Sequence, residues 1–325
     1  MKTIVNLLFL IFMSHSIIAQ SYNEKPYVLK KFDSNKVKNL KIATSGGGLS
    51  VIGTDESEAK LEVYIRANNW SDELDKKEIE ERLQNYELVT LQDGNTIIAS
   101  FKSKDDVITK KRLSVSFKAY VPKNISVNVI TNGGSINVVG ITGDASGRTL
   151  GGSIDISKCN NKMYFKTSGG SINASSCSGN IDLETSGGSI TLDTLSGNIK
   201  AITSGGSIGA TELHGESLLM TEDGSISLSK IYGSLEASTG LGSIDAEILE
   251  LGKSLTLNAS KGNMTIKLPL NNGINLDCSA LKIIPNSLTN FIGQFDNSQV
   301  KGKLNGGGIP IKLEAKTGVL TLKNL

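Results

Sequence analysis

Apolar residues in this chain fall into columns. An isoleucine preceded by Gly-Ser stands at positions 136, 154, 172, 190, 208, 226 and 244, each 18 residues from the last. A threonine keeps the same step at 131, 149, 167, 185, 203, 221 and 239. Within one period, Ile190 and Leu192, then Ile199 and Ala201, alternate with polar residues. That is the two-residue period of a strand with one buried face. The strand segments are separated by Ser196-Gly197-Asn198 and by Thr-Ser-Gly-Gly-Ser, where glycine permits a sharp corner. Eighteen residues are too few for two strands and a helix. The pattern therefore predicts an all-β fold, a single-stranded parallel β-helix (solenoid) with about 18 residues per coil and strands ~4.8 Å apart. Each coil buries its apolar face only against its neighbours, so a fixed period is maintained.

The flanks break the period. Met264 lies 20 residues beyond Ile244, after which strand-turn-strand patterns resume, and the last segment reads as a closing strand over the final coil. Upstream, residues 20–125 read as a β-rich cap with one helix in "SDELDKKEIEERLQNY", capped by Ser71, with Leu74, Ile79, Leu83 and Tyr86 on its apolar side. A hairpin is expected around Asp93-Gly94 and a strand pair around Pro122. Such caps cover the unpaired strands that a bare solenoid end exposes. The expected organisation is 1–19 signal peptide, 20–125 N-terminal cap and 126–325 solenoid with closing C-terminal strands.

Composition adds direction of export. "MKTIVNLLFLIFMSHSIIAQ" has a short basic start, an apolar run and a small residue, Ala19, at a cleavage point. This predicts an exported protein of the periplasm, cell surface or extracellular space, without stable membrane insertion. The formal net charge is +2 with no basic run, which argues against nucleic acid as a partner. Loss of the leader removes His15 and leaves His214 as the sole histidine, so neither a zinc site nor a metal or other cofactor is expected.

Several residues invite chemistry. Thr-Ser-Gly-Gly-Ser could cradle a phosphate, but that needs a following helix, and here a strand follows in seven copies. A serine nucleophile would need a base, and His214 has no matched partner. No enzyme is expected, and no catalytic residue is assigned. Cys159 and Cys177 share the core column of Ile141, Leu195, Leu213, Ile231 and Leu249, and adjacent coils bring them within reach of a disulfide or leave a buried thiol pair. Asn137, Asp155 and Asn173 form a short polar column that gives way to Thr191 and Gly209, too sparse for a calcium ladder. Lys166 and Glu184, Asp182 and Lys200, and Glu212 and Lys230 lie one coil apart and suit cross-strand pairing. Exposed aromatics that could touch a ligand are few: Tyr164 and Tyr232 in the coils, Trp70 and Tyr86 in the cap. Phe165 shares a column with Leu183 and Ala201 and belongs to the core.

The run "VPKNISVNVITNGGSINVVGITGD", the recurring "TSGGSI" and "SGNI", and the terminal "KGKLNGGGIPIKLEAKTGVLTL" resemble the bacterial family of β-strand-repeat proteins classed as adhesins, a domain of unknown function. The resemblance covers most of residues 38–325. It implies a parallel β-helix at the cell envelope and brings no catalytic residues with it. The expected function is an adhesin-like binding protein whose partner is an envelope protein or a glycan. A purely structural scaffold and a polysaccharide-acting enzyme are the alternatives.

Overall fold

The computed structural model describes residues 25–68, 74–104, 112–285 and 288–325. The leader lies outside them, as do Trp70 and Ser71. The fold is an all-β solenoid built on one continuous, mostly parallel sheet. In its middle, the strands Ile172–Thr185, Ile190–Thr203, Ile208–Thr221 and Ile226–Thr239 stack in register, with Ile172 opposite Ile190 and Ile190 opposite Ile208. The Ile, Leu and Val columns fill one core that runs the length of the molecule.

The Thr-Ser-Gly-Gly-Ser corner is an architectural joint. Thr203 Oγ1 donates to the Gly188 carbonyl of the preceding coil at 2.7 Å and accepts from the Gly206 N–H at 3.2 Å. Its equivalents Thr149, Thr167, Thr185, Thr221 and Thr239 make the same donor bond at 2.6–2.8 Å. These threonines are buried, and both functions of the hydroxyl are satisfied. The second glycine is required by proximity: a Cβ at Gly188 would lie 2.1 Å from the Gly170 carbonyl oxygen. Serine continues the ladder, with the Ser207 N–H donating to Ser189 Oγ at 3.2 Å. On the opposite side of the coil, Lys158, Ser176, Thr194, Glu212 and Lys230 take left-handed φ values of 53–60° in one column. Three residues further on, Gly179, Gly197, Gly215 and Gly233 take φ of 114–127°.

Both ends depart from the sequential order. Asn39–Thr44 and Leu49–Thr54 form a coil that pairs in parallel with Ser126–Thr131 and Ile136–Val139 on one side. On the other side the same coil pairs with Thr96–Ser103 and Leu113–Pro122. The first coil in the chain is thus the second in space. Leu113–Pro122 and Ser126–Thr131, expected as a pair around Pro122, instead each pair with this intervening coil. Antiparallel strands finish this end: Tyr86–Asp93 on Thr96–Ser103, through the turn at Gly94, and Glu58–Ala67 between Leu113–Pro122 and Val28–Asp33. The helix is Lys76–Leu83, capped by Asp75, whose side chain accepts from the Glu78 N–H while Glu78 reciprocates. Ile79 is buried, and Leu74, Leu83 and Tyr86 pack beside the core.

The C-terminal strand Ile309–Asn324 does not close the last coil. It lies inside, parallel to Ile244–Ala259 and Met264–Leu268 on one side and to Ile274–Pro285 on the other. Gln299–Leu304 and then Phe291–Phe295 complete the end as an antiparallel meander. The two-residue insertion is absorbed within Ile244–Ala259, where Ile231 faces Ile248 and Leu235 faces Leu255. Ile248, rather than Leu249, therefore enters the core.

Candidate functional site: an axial groove

A groove of ≈ 990 Å³ follows one face of the solenoid across nine coils, from Asn39–Lys41 to Lys253–Thr256. Eight steps of ~4.8 Å make it about 38 Å long. Its position follows from the left-handed glycines: the chain bends at Gly179, Gly197, Gly215 and Gly233, and the groove runs along the residues just past each bend. A buried column underlies it, containing Val127, Ala145, Met163, Ile181, Ile199 and Leu235. Ser217 interrupts that column and is 7% exposed.

Side chains on either side of the buried column form the walls. One wall runs Asn128, Ser146, Tyr164, Asp182, Lys200 and, past Leu218, Glu236. The other includes Asp144, Lys162, Asn180, Asn198 and Glu216. Amides and hydroxyls bond along the axis: Asn198 Nδ2 donates to Asn180 Oδ1 at 3.0 Å, and Asn128 Nδ2 to Ser146 Oγ at 2.8 Å. Glu184 accepts from Lys166 at 2.8 Å and from Lys200 at 3.1 Å, and Lys200 also meets Asp182 at 3.1 Å. Hydrogen bonds from Lys166 and Lys200 hold the Glu184 carboxyl below the usual carboxylate range. Lys253 reaches Glu216 at 2.6 Å across the intervening coil. The lining carries Lys41, Lys162, Lys200 and Lys253 against Asp144, Asp182, Glu216 and Glu236, four charges of each sign.

Among the residues singled out from sequence, Tyr164 stands in the groove wall with 46% of its surface exposed. Tyr232 does not line the groove. It is half-buried and stacked on His214 at 4.4 Å with the rings 2° from parallel. Tyr86 packs against the core, stacked on Phe101 at 4.7 Å, with its hydroxyl accepting from the Leu113 N–H. Phe165 is fully buried. Cys159 and Cys177 are buried on adjacent coils as free thiols, and Cys177 Sγ accepts from the Cys159 N–H at 3.4 Å. Contact with the Cys159 thiol, then burial, pushes the Cys177 thiol up. Burial pushes Cys278 up to about 12. The pairs Lys166–Glu184 and Asp182–Lys200 form as the spacing suggested, while Glu212 and Lys230, among the described residues, form no ion pair. Asn173 donates to Asp155 at 2.8 Å within its polar column. Among the described residues no group of three or more His, Cys, Asp or Glu could hold a metal ion. No helix among them is long and apolar enough to cross a membrane.

No family model and no curated protein matches this chain. A crystal structure of a "putative cell adhesion protein" from Clostridium sporogenes ATCC 15579, at 1.95 Å resolution, is similar over 93% of this chain and 100% of that chain. The sequence identity is 13% and the TM-score 0.23, a likeness that carries no argument about function.

The groove itself was missed by a search for single aromatic residues. Its sequence signal is a set of three adjacent columns: polar, apolar, polar, just after the S-G-N glycine.

Proposed function

We propose that this protein is a non-enzymatic, adhesin-like binding protein of the cell envelope that holds an extended partner, an envelope protein or a glycan, along the groove. The supporting observation is the groove's continuity across nine coils, with an apolar column beneath and polar walls on both sides. A long apolar floor between polar walls suits contact with a partner better than it suits a spacer. The leader-like N-terminus supports export, and the even distribution of carboxylates, paired with lysines, supports binding over hydrolysis.

The test uses the chain from Gln20 onward, which carries every described element. Immobilised, it is presented with glycan arrays and, after crosslinking, with envelope extracts. Saturable binding of one class of molecule is expected. Failure to capture any of them would sink the binding reading and leave the scaffold.

A further inference from the structure

We propose that the groove takes an unbranched, uncharged polysaccharide, centred on the coil that carries Ser217 and Leu218, with Tyr164 packing on a sugar ring nearer the N-terminal end. This rests on the binding reading above and narrows it to one class of ligand.

The starting point is a reversal of polarity. In the coil before, Ile199 lies in the buried column and Lys200 in the wall; in the coil after, Leu235 is buried and Glu236 faces out. Between them, Ser217 occupies the buried column and Leu218 the wall. Ser217 is 7% exposed, while Leu218 is half-buried in the groove lining. A hydroxyl in the apolar column and a leucine in the polar wall both depart from the pattern of the adjacent coils. Leu218 also joins Ile202 and Met220, the latter 39% exposed, in an apolar surface flanked by Lys200 and Glu236. An apolar strip beside hydrogen-bonding groups suits the alternating C–H faces and hydroxyls of a sugar chain.

Three further observations select the class. Lysines and carboxylates balance four to four along the groove, so it presents no net field to a polyanion or polycation. The uncharged wall groups are amides and hydroxyls, Asn128, Ser146, Asn180 and Asn198 among them, which both donate and accept as sugar hydroxyls do. An extended peptide would dock by adding a strand to a free sheet edge. The central groove strands are each hydrogen-bonded to a neighbour on both sides, so they have no edge to give.

The decisive variant restores the pattern of the adjacent coil, Ser217→Ile with Leu218→Lys. It is run beside Tyr164→Ala and the unaltered chain in affinity electrophoresis through gels containing unbranched neutral glucans, xylan or mannan, with a polyuronate gel as the charged control. The expected result is retardation of the unaltered chain by at least one neutral polymer. The double variant should unfold at a higher temperature yet bind that polymer at least about tenfold more weakly, and Tyr164→Ala should weaken it too. Retardation by none of the neutral polymers, or by the polyuronate alone, overturns the proposal while leaving binding of another partner open to the array and extract test. Undiminished retardation of the double variant overturns the location.

Discussion

The central coils and the two ends are made of the same strands but solve different problems. From Ile172 to Thr239 each coil pairs with its chain neighbour 18 residues away, and the corners share one threonine-to-glycine hydrogen bond. At the ends the order is interleaved: Asn39–Thr54 sits between later segments, and Ile309–Asn324 sits between earlier ones. The middle is held by local repetition, as in any one-dimensional array. The ends are held by long-range pairing, which costs more chain entropy to form but leaves fewer outer rungs free to fray.

The sharpest way to break the comparison is to remove comparable lengths from each region. Truncation of residues 309–325 should strip a two-sided strand from the C-terminal end and lower the melting temperature by roughly 10 °C or more. Excision of residues 190–207 joins Ser189 to Ile208, recreates the Ser-Ile junction, and should shift it by only about 2–4 °C. Equal losses in thermal unfolding would mean that the interleaving contributes nothing. A smaller effect, still large for one residue, is expected at the corner: Gly188→Ala forces a Cβ to 2.1 Å from the Gly170 oxygen and should cost about 3 kcal/mol by denaturant titration. Thr203→Val leaves the Gly188 carbonyl and Gly206 N–H short of a partner and should cost about 2 kcal/mol.

Electrostatics comes next in size. Glu184→Gln should cost no more than ~1 kcal/mol at neutral pH, because its lysine partners are partly exposed. The folded-state carboxyl is depressed, so the contribution is present above the ordinary carboxylate value and disappears as pH falls through the depressed one. Stability curves of the two proteins should therefore converge in acid; a constant gap would rule out the ion pairs as its source. The smallest effect should be a gain. Thr194 holds φ 54°, which a β-branched residue adopts with strain, so Thr194→Asn should stabilise by about 0.5–1 kcal/mol.

Much of the middle was legible because columns at a fixed step name both partner and face. Phe165 could be placed in the core that way. Alternation alone does not say which strand a strand will meet, so the interleaved ends were not legible, and Ile309–Asn324 read as a lid when it is an insert. The helix start slipped from Ser71 to Asp75, where the reciprocal bond with Glu78 settles the cap. Leu249 lost its core place to Ile248 because the two-residue insertion opens as a bulge earlier than the next Gly-Ser motif reveals. Of the candidate ligand contacts, Tyr164 reached the groove, whereas ring stacking with His214 accounts for the setting of Tyr232.

The buried position of Ile309–Asn324 also bears on tension. A strand at the rim of a sheet can be peeled away one hydrogen bond at a time. This one is flanked by Ile244–Leu268 on one side and Ile274–Pro285 on the other, so a pull on Leu325 must shear two ladders together. Force applied at that strand would therefore be shared between two parallel ladders, where a strand at the rim has one.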